Sequence, residues 1–113
     1  MAIDKVVSAS ITDGVLQPNF RNIIINGDMN IAQRATSASS LTSSAYNTMD
    51  RWHLALSSLG TWTQSQSTDV PTGQGFAKSM KLDCTTADAS PSSSDAMILQ
   101  TRIEGQMLQY LKK

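Results

Sequence analysis

An internal disulfide is excluded from this chain by arithmetic. Cys84 is its one cysteine, so nothing inside the chain can pair by oxidation, and the thiol is expected to pack as a small apolar residue. Aromatic rings are scarce, at 5% of residues, and charged side chains reach only 16%. Lysine plus arginine and aspartate plus glutamate balance at 9 each, so the summed field exerts no long-range pull on nucleic acid or an anionic membrane. Glutamate occurs once, at Glu104, and histidine once, at His53. No apolar run approaches the roughly 20 residues of a membrane-spanning helix. The opening MAIDKVVSAS lacks the apolar region of a signal peptide. The expectation is a chain made in a cytosol-like compartment, without nucleic acid or membrane insertion.

What is present fits one small domain of 113 residues. Hydrophobic residues make up 40%, enough for a core built mainly from Ile, Leu, Val and Met. Serine and threonine occupy 27 positions and supply the surface polarity that charge does not. Residues 1–19 show no sustained apolar period. Ile11 and its β-branched neighbours sit beside the Asp13-Gly14 turn signal, which reads as an extended arm.

From residue 20 the pattern becomes strand-like. Residues 20–25 (FRNIII) carry three consecutive isoleucines, stiff at χ1 and suited to a pleated backbone; this is the most strand-like segment. Asn26-Gly27 supplies positive φ angles for a hairpin or sharp corner. Residues 35–48 read as a polar loop anchored by Tyr46. In the run from Arg51 to Leu56, Trp52, Leu54 and Leu56 share one face, and Arg51, His53 and Ala55 the other. Gly60 ends that run. A polar strand with Trp62 follows, then a strand over 76–85 with Met80, Leu82 and Cys84 on one face. A surface loop fills 87–95 and a further strand 96–100. The final segment shifts period: Ile103, Met107 and Leu111 form one stripe of a short helix, with Gly105 weakening it. Short strands separated by Gly, Pro and Ser loops predict an all-β sandwich.

A spaced signature now stands out. Residues Asn22-Ile23-Ile24-Ile25-Asn26-Gly27-Asp28-Met29, then Ala32-Gln33-Arg34, then Tyr46, then Asp50-Arg51-Trp52, resemble the opening of jelly-roll domains in bacteriophage tail-fibre and other virion proteins, domains similar to carbohydrate-binding modules. Ser79-Met80-Lys81-Leu82 and the segment from Leu99 to Gly105 resemble later parts of the same pattern. The likeness covers roughly residues 20–113 and gives a two-part organisation. Residues 1–19 are the arm or attachment segment, and 20–113 are the N-terminal part of a partial jelly-roll β-sandwich with a short helix near the C-terminus.

The resemblance implies a virion structural protein, assembled in the host cytoplasm and placed in a phage tail or appendage. Its implied partners are further copies of itself, commonly in a homotrimer, and phage tail or neck proteins, with a contribution to host adsorption. The family pattern continues into more strands than this chain holds. The expectation is therefore an incomplete sandwich, its missing part supplied either by further strands of a longer protein or by partner chains, with an assembly interface of Ile11, Ile23, Ile24 and Ile25. The second expectation is a module recognising host surface glycan.

Asp28 and Asp50 are the carboxylates to consider for glycoside hydrolysis, which needs two flanking one bond. Turn stabilisation by Asp28 and local pairing by Asp50 are the preferred readings, and no enzymatic activity, catalytic residue or cofactor is expected. Sandwiches of the resembled kind often carry structural calcium, for which Asp28, Asp50 and Asp83 offer hard oxygen ligands. His53 has no second His or Cys at ligand spacing. Trp52 reads as core. Trp62, among Thr, Gln and Ser, is the candidate platform for stacking a sugar ring. Arg21, Arg34, Arg51 and Arg102 are dispersed and read as solvated or salt-bridging.

Overall fold

Short alternating runs bounded by Gly, Pro and Ser bury one side and solvate the other when they pair, and antiparallel pairing is what short connections permit. The computed structural model describes residues 22–109. The expected arm, Ile11, Phe20, Arg21 and Leu111 lie outside the described residues. Five strands appear in chain order: β1 (Ser37–Leu41), β2 (Trp52–Ser57), β3 (Thr61–Ser67), β4 (Ser79–Thr86) and β5 (Ala96–Thr101). They form two antiparallel sheets, one ordered β1-β3-β4 and one of β2-β5. The fold class is all-β, with one short helix, α1 (Gly105–Leu108), near the C-terminus.

Residues Ile24–Arg102 form one compact unit, to which both sheets belong. The chain alternates between the sheets. It leaves the three-stranded sheet after β1, enters the two-stranded one at β2, returns for β3 and β4, and crosses again for β5. Only Ser58, Leu59 and Gly60 separate β2 from β3. Ser58 and Gly60 take left-handed backbone, with φ of 50° and 72°. A Cβ built on Gly60 would lie 2.2 Å from the Thr86 carbonyl oxygen, so this crossing requires glycine both for its φ and for its space.

Register explains the burial. In β2, Leu54 and Leu56 are buried as the alternation predicts, opposite Leu99 and Met97 of β5. In β3, Trp62, Gln64 and Gln66 share a face, and Gln64 is fully buried between register partners Ala38 and Leu82. Among the described residues the buried hydrophobic side chains are Met49, Leu54 and Leu56.

Three expectations are corrected. Residues 22–25 form no strand: Ile24 lies in a bend and Ile25 opens a turn through Asp28. Three isoleucines favour a pleat only where another strand offers a ladder, whereas the Asn26 side chain holds this backbone in a turn. The turn signal at Asn26-Gly27 is therefore right, but it joins no hairpin. The polar loop expected at 35–48 contains β1, which pairs with β3 through a register shift between Ala38 and Leu41. Ser40 sits at φ 56° in that irregularity. A bulge removes the period-two signal on which a strand is recognised. The strand expected over 76–85 runs from Ser79 to Thr86, leaving Phe76 outside it and exposed. The C-terminal stripe forms a single helical turn, with the Met107 amide donating to the Glu104 carbonyl at 2.9 Å.

Candidate functional site

Several of the spaced signature residues, Asn26, Met29, Asp50 and Trp52, meet in one hydrogen-bonded joint. Asn26 takes a φ of 55°, a left-handed conformation that asparagine tolerates better than most residues. Its side chain is buried and fully used: Nδ2 donates to the carbonyls of Ile31 and Asp50, each at 2.9 Å, and Oδ1 accepts from the Ile31 amide at 2.9 Å. The Asn26 carbonyl accepts from the Trp52 indole at 2.9 Å. The Asp50 amide donates to the Ile31 carbonyl at 3.0 Å. On the other side, Gln66 Nε2 donates to the carbonyls of Met29 at 2.7 Å and Asn30 at 3.2 Å. The loop at 26–31 is thus tied to β2 through Trp52 and to β3 through Gln66, one strand from each sheet.

A cleft opens beside this joint. Its lining is Arg34, Tyr46, Asp50, Arg51 and Arg102, and its volume is about 270 Å³. Asp50 Oδ1 accepts from the Gln33 amide at 3.2 Å and lies 3.7 Å from the Arg34 guanidinium. That ion pair is long, and its arginine is more than half exposed, so it adds little stability. The Arg34 guanidinium lies 5.7 Å from the centroid of the Tyr46 ring, within cation–π range. Tyr46 meets the His53 ring edge-on at a centroid distance of 4.8 Å. His53 Nδ1 lies 3.0 Å from the Gln100 amide nitrogen. Arg51 sits at φ 74° in the turn that leads into β2. A long side chain held there is strained by about 1–2 kcal/mol. Three arginines, one aspartate and one tyrosine line the cleft.

The other residues singled out from the sequence lie elsewhere. Ile23 is half-buried, while Ile24 and Ile25 are 44% and 38% exposed. Trp62 is half-buried, its indole N–H donating to the Leu59 carbonyl at 2.6 Å, on the same face of β3 as buried Gln64. The three aspartates considered for calcium have separate partners: Asp28 bonds Asn30, Asp50 serves Gln33 and Arg34, and Asp83 pairs with Lys81 at 3.5 Å. Among the described residues, no group of three or more His, Cys, Asp or Glu comes together. Cys84 is exposed rather than buried, a correction that follows from its place near the end of β4, where the strand's side chains are solvated.

The cleft was not read from the sequence. Arg34, Arg51 and Arg102 are far apart along the chain, and dispersed arginines carry no spacing signal. The Gln33-Arg34 and Asp50-Arg51-Trp52 pieces of the signature were the available hint, and Arg102 had none. No protein-family model, curated protein sequence or solved structure matches this chain.

Proposed function

We propose that this chain is a structural component of a bacteriophage virion, part of a tail fibre or appendage, working as an assembly of identical copies. A homotrimer attached to tail or neck proteins and contributing to host adsorption is the form the likeness implies. The role is structural, not catalytic. One observation carries the reading: among the described residues, many large apolar side chains stay outside the buried core. Ile24, Ile25, Ile31, Phe76, Ile98 and Leu99 are exposed, against three buried hydrophobic side chains among the described residues. Isolated exposed apolar residues are ordinary, but a core this small beside that many large ones favours burial against a second surface.

Two further features support the reading. Four residues of the resemblance, Asn26, Met29, Asp50 and Trp52, take part in the hydrogen-bonded joint that ties the 26–31 loop to both sheets. The two-stranded sheet has β2 and β5 each paired on one side within the described residues, apart from the single bridge from Ala45 to Leu54. Such edges take an added strand through main-chain bonds, which need no special side chains. The test is the mass of the whole chain in solution by size-exclusion chromatography with light scattering. The expected result is an assembly of defined stoichiometry that Ile24→Asp weakens. A compact monomer that melts cooperatively at high dilution would refute the proposal.

A further inference from the structure

We propose that Asn26 is a deamidation site that the fold keeps closed, and that its modification makes an opening of the 26–31 joint irreversible. The inference concerns the chain itself and holds whether or not copies assemble.

The chemistry follows from Asn26-Gly27, the one asparagine–glycine pair in the sequence. When such a pair is accessible, the Gly27 backbone nitrogen loses its proton to hydroxide and attacks Asn26 Cγ. The bond from Gly27 N to Cγ forms, the Cγ–Nδ2 bond breaks and ammonia leaves, which closes a succinimide ring. Water then opens the ring. Cleavage at Cγ gives aspartate; cleavage at the main-chain carbonyl carbon of residue 26 gives isoaspartate, whose backbone runs through the side chain. Water is the only reagent consumed, and nothing is oxidised. A side chain on the following residue shields the attacking nitrogen, and glycine has none. Asn19, Asn22, Asn30 and Asn47 precede Phe, Ile, Ile and Thr, so each of them is shielded.

The turn itself does not require this glycine. Asn26 takes the left-handed backbone, at φ 55°, whereas Gly27 is not among the residues of positive φ. The atoms nearest to a Cβ built on Gly27 belong to Ile24, the closest at 3.4 Å, which is ordinary contact.

The fold closes the site through the side chain. Gly27 is exposed, but Asn26 is buried. Nδ2, the leaving nitrogen, donates to the carbonyls of Ile31 and Asp50, and Oδ1 accepts from the Ile31 amide. Loss of ammonia destroys the two Nδ2 bonds, and the tetrahedral carbon that precedes it displaces Oδ1 from the third. Reaction therefore waits on local opening of the joint. An aspartate at 26 has no N–H for the two carbonyls and sets a negative charge against them. Isoaspartate adds a methylene to the backbone of the turn. Neither rebuilds the joint, so a chain modified while open does not regain the same stability.

The experiment is incubation of the whole chain in mildly alkaline buffer, with and without unfolding urea, followed by peptide mapping by mass spectrometry. In urea, aspartate and isoaspartate should accumulate at position 26 while Asn22, Asn30 and Asn47 stay intact. Without urea the rate should be at least about ten-fold lower. Gly27→Ala should slow the reaction in urea about ten-fold or more while its thermal melt stays near that of the unmodified chain, because the added Cβ meets ordinary contact. On dilution from urea, the fraction regaining the native urea midpoint should fall in step with the modified fraction. Equal rates with and without urea overturn the proposal. So does an intact Asn26 after long incubation in urea, an equally fast reaction in the Gly27→Ala chain, or a modified chain that refolds with an unchanged midpoint.

Discussion

The Asn26 carboxamide uses both of its ends on backbone groups, one of them 24 residues away at Asp50. Asn26→Gly keeps the left-handed backbone accessible and removes only those bonds, which leaves the Ile31 amide and the Asp50 carbonyl short of a partner. The expected loss is about 2–4 kcal/mol, read as a lower urea midpoint at unchanged slope. A loss under about 0.5 kcal/mol would mean that water substitutes for the side chain. Gln64 makes the opposite case. It is fully buried, its Nε2 reaches only the Met80 sulfur at 3.3 Å, and its Oε1 has no partner. A methionine of similar length removes the unsatisfied oxygen, so Gln64→Met should raise stability by about 1 kcal/mol. A lower melting temperature in that variant would show that the buried amide is required. Of these two residues, Asn26 was legible in the sequence as a turn former. The burial of Gln64 was not, because a glutamine in a Thr- and Ser-rich strand looks like a surface residue until register is known.

At the scale of elements, the decisive link is the three-residue crossing between β2 and β3. Gly60→Ala puts a Cβ against the Thr86 carbonyl and holds alanine at a left-handed φ. Gly73 also has a positive φ, 75°, but nothing lies within 4 Å of its Cβ position. Gly73→Ala should therefore lose about 1 kcal/mol from backbone strain alone. Gly60→Ala should lose at least twice that, because Thr86 must also move. Paired thermal melts check the difference, and equal losses would show that the β3–β4 end relaxes freely. β2 was readable because its apolar residues alternate and one face is buried. β1 was hidden because a bulge breaks the alternation. The isoleucine triplet misled because strand propensity reports a fit to neighbours, and among the described strands none pairs with residues 22–25.

For the whole molecule, the question is what covers Ile24, Ile25, Ile98 and Leu99. If identical copies do so, stability is linked to concentration by mass action. The melting temperature should then rise by several degrees over a hundred-fold increase in protein concentration, and Ile24→Asp should flatten that dependence. A concentration-independent melt in the unmodified chain would place the assembly reading in conflict with its main support. The all-β class and the general order of strands were legible from residue patterns.

The sequence by itself determined the class of fold, the face that β2 buries, the turn at Asn26-Gly27 and the want of any internal disulfide. Each of these depends on residues near one another along the chain, where period, φ preference and composition act directly. Tertiary structure alone decided that β1 exists, that Gln64 is interior, and that Arg34, Arg51 and Arg102 share a cleft with Tyr46 and Asp50. Those outcomes depend on which strands lie side by side. That is set by the burial of Leu54 and Leu56 and by the hydrogen bonds of Asn26 and Gln66, acting between residues distant in the chain.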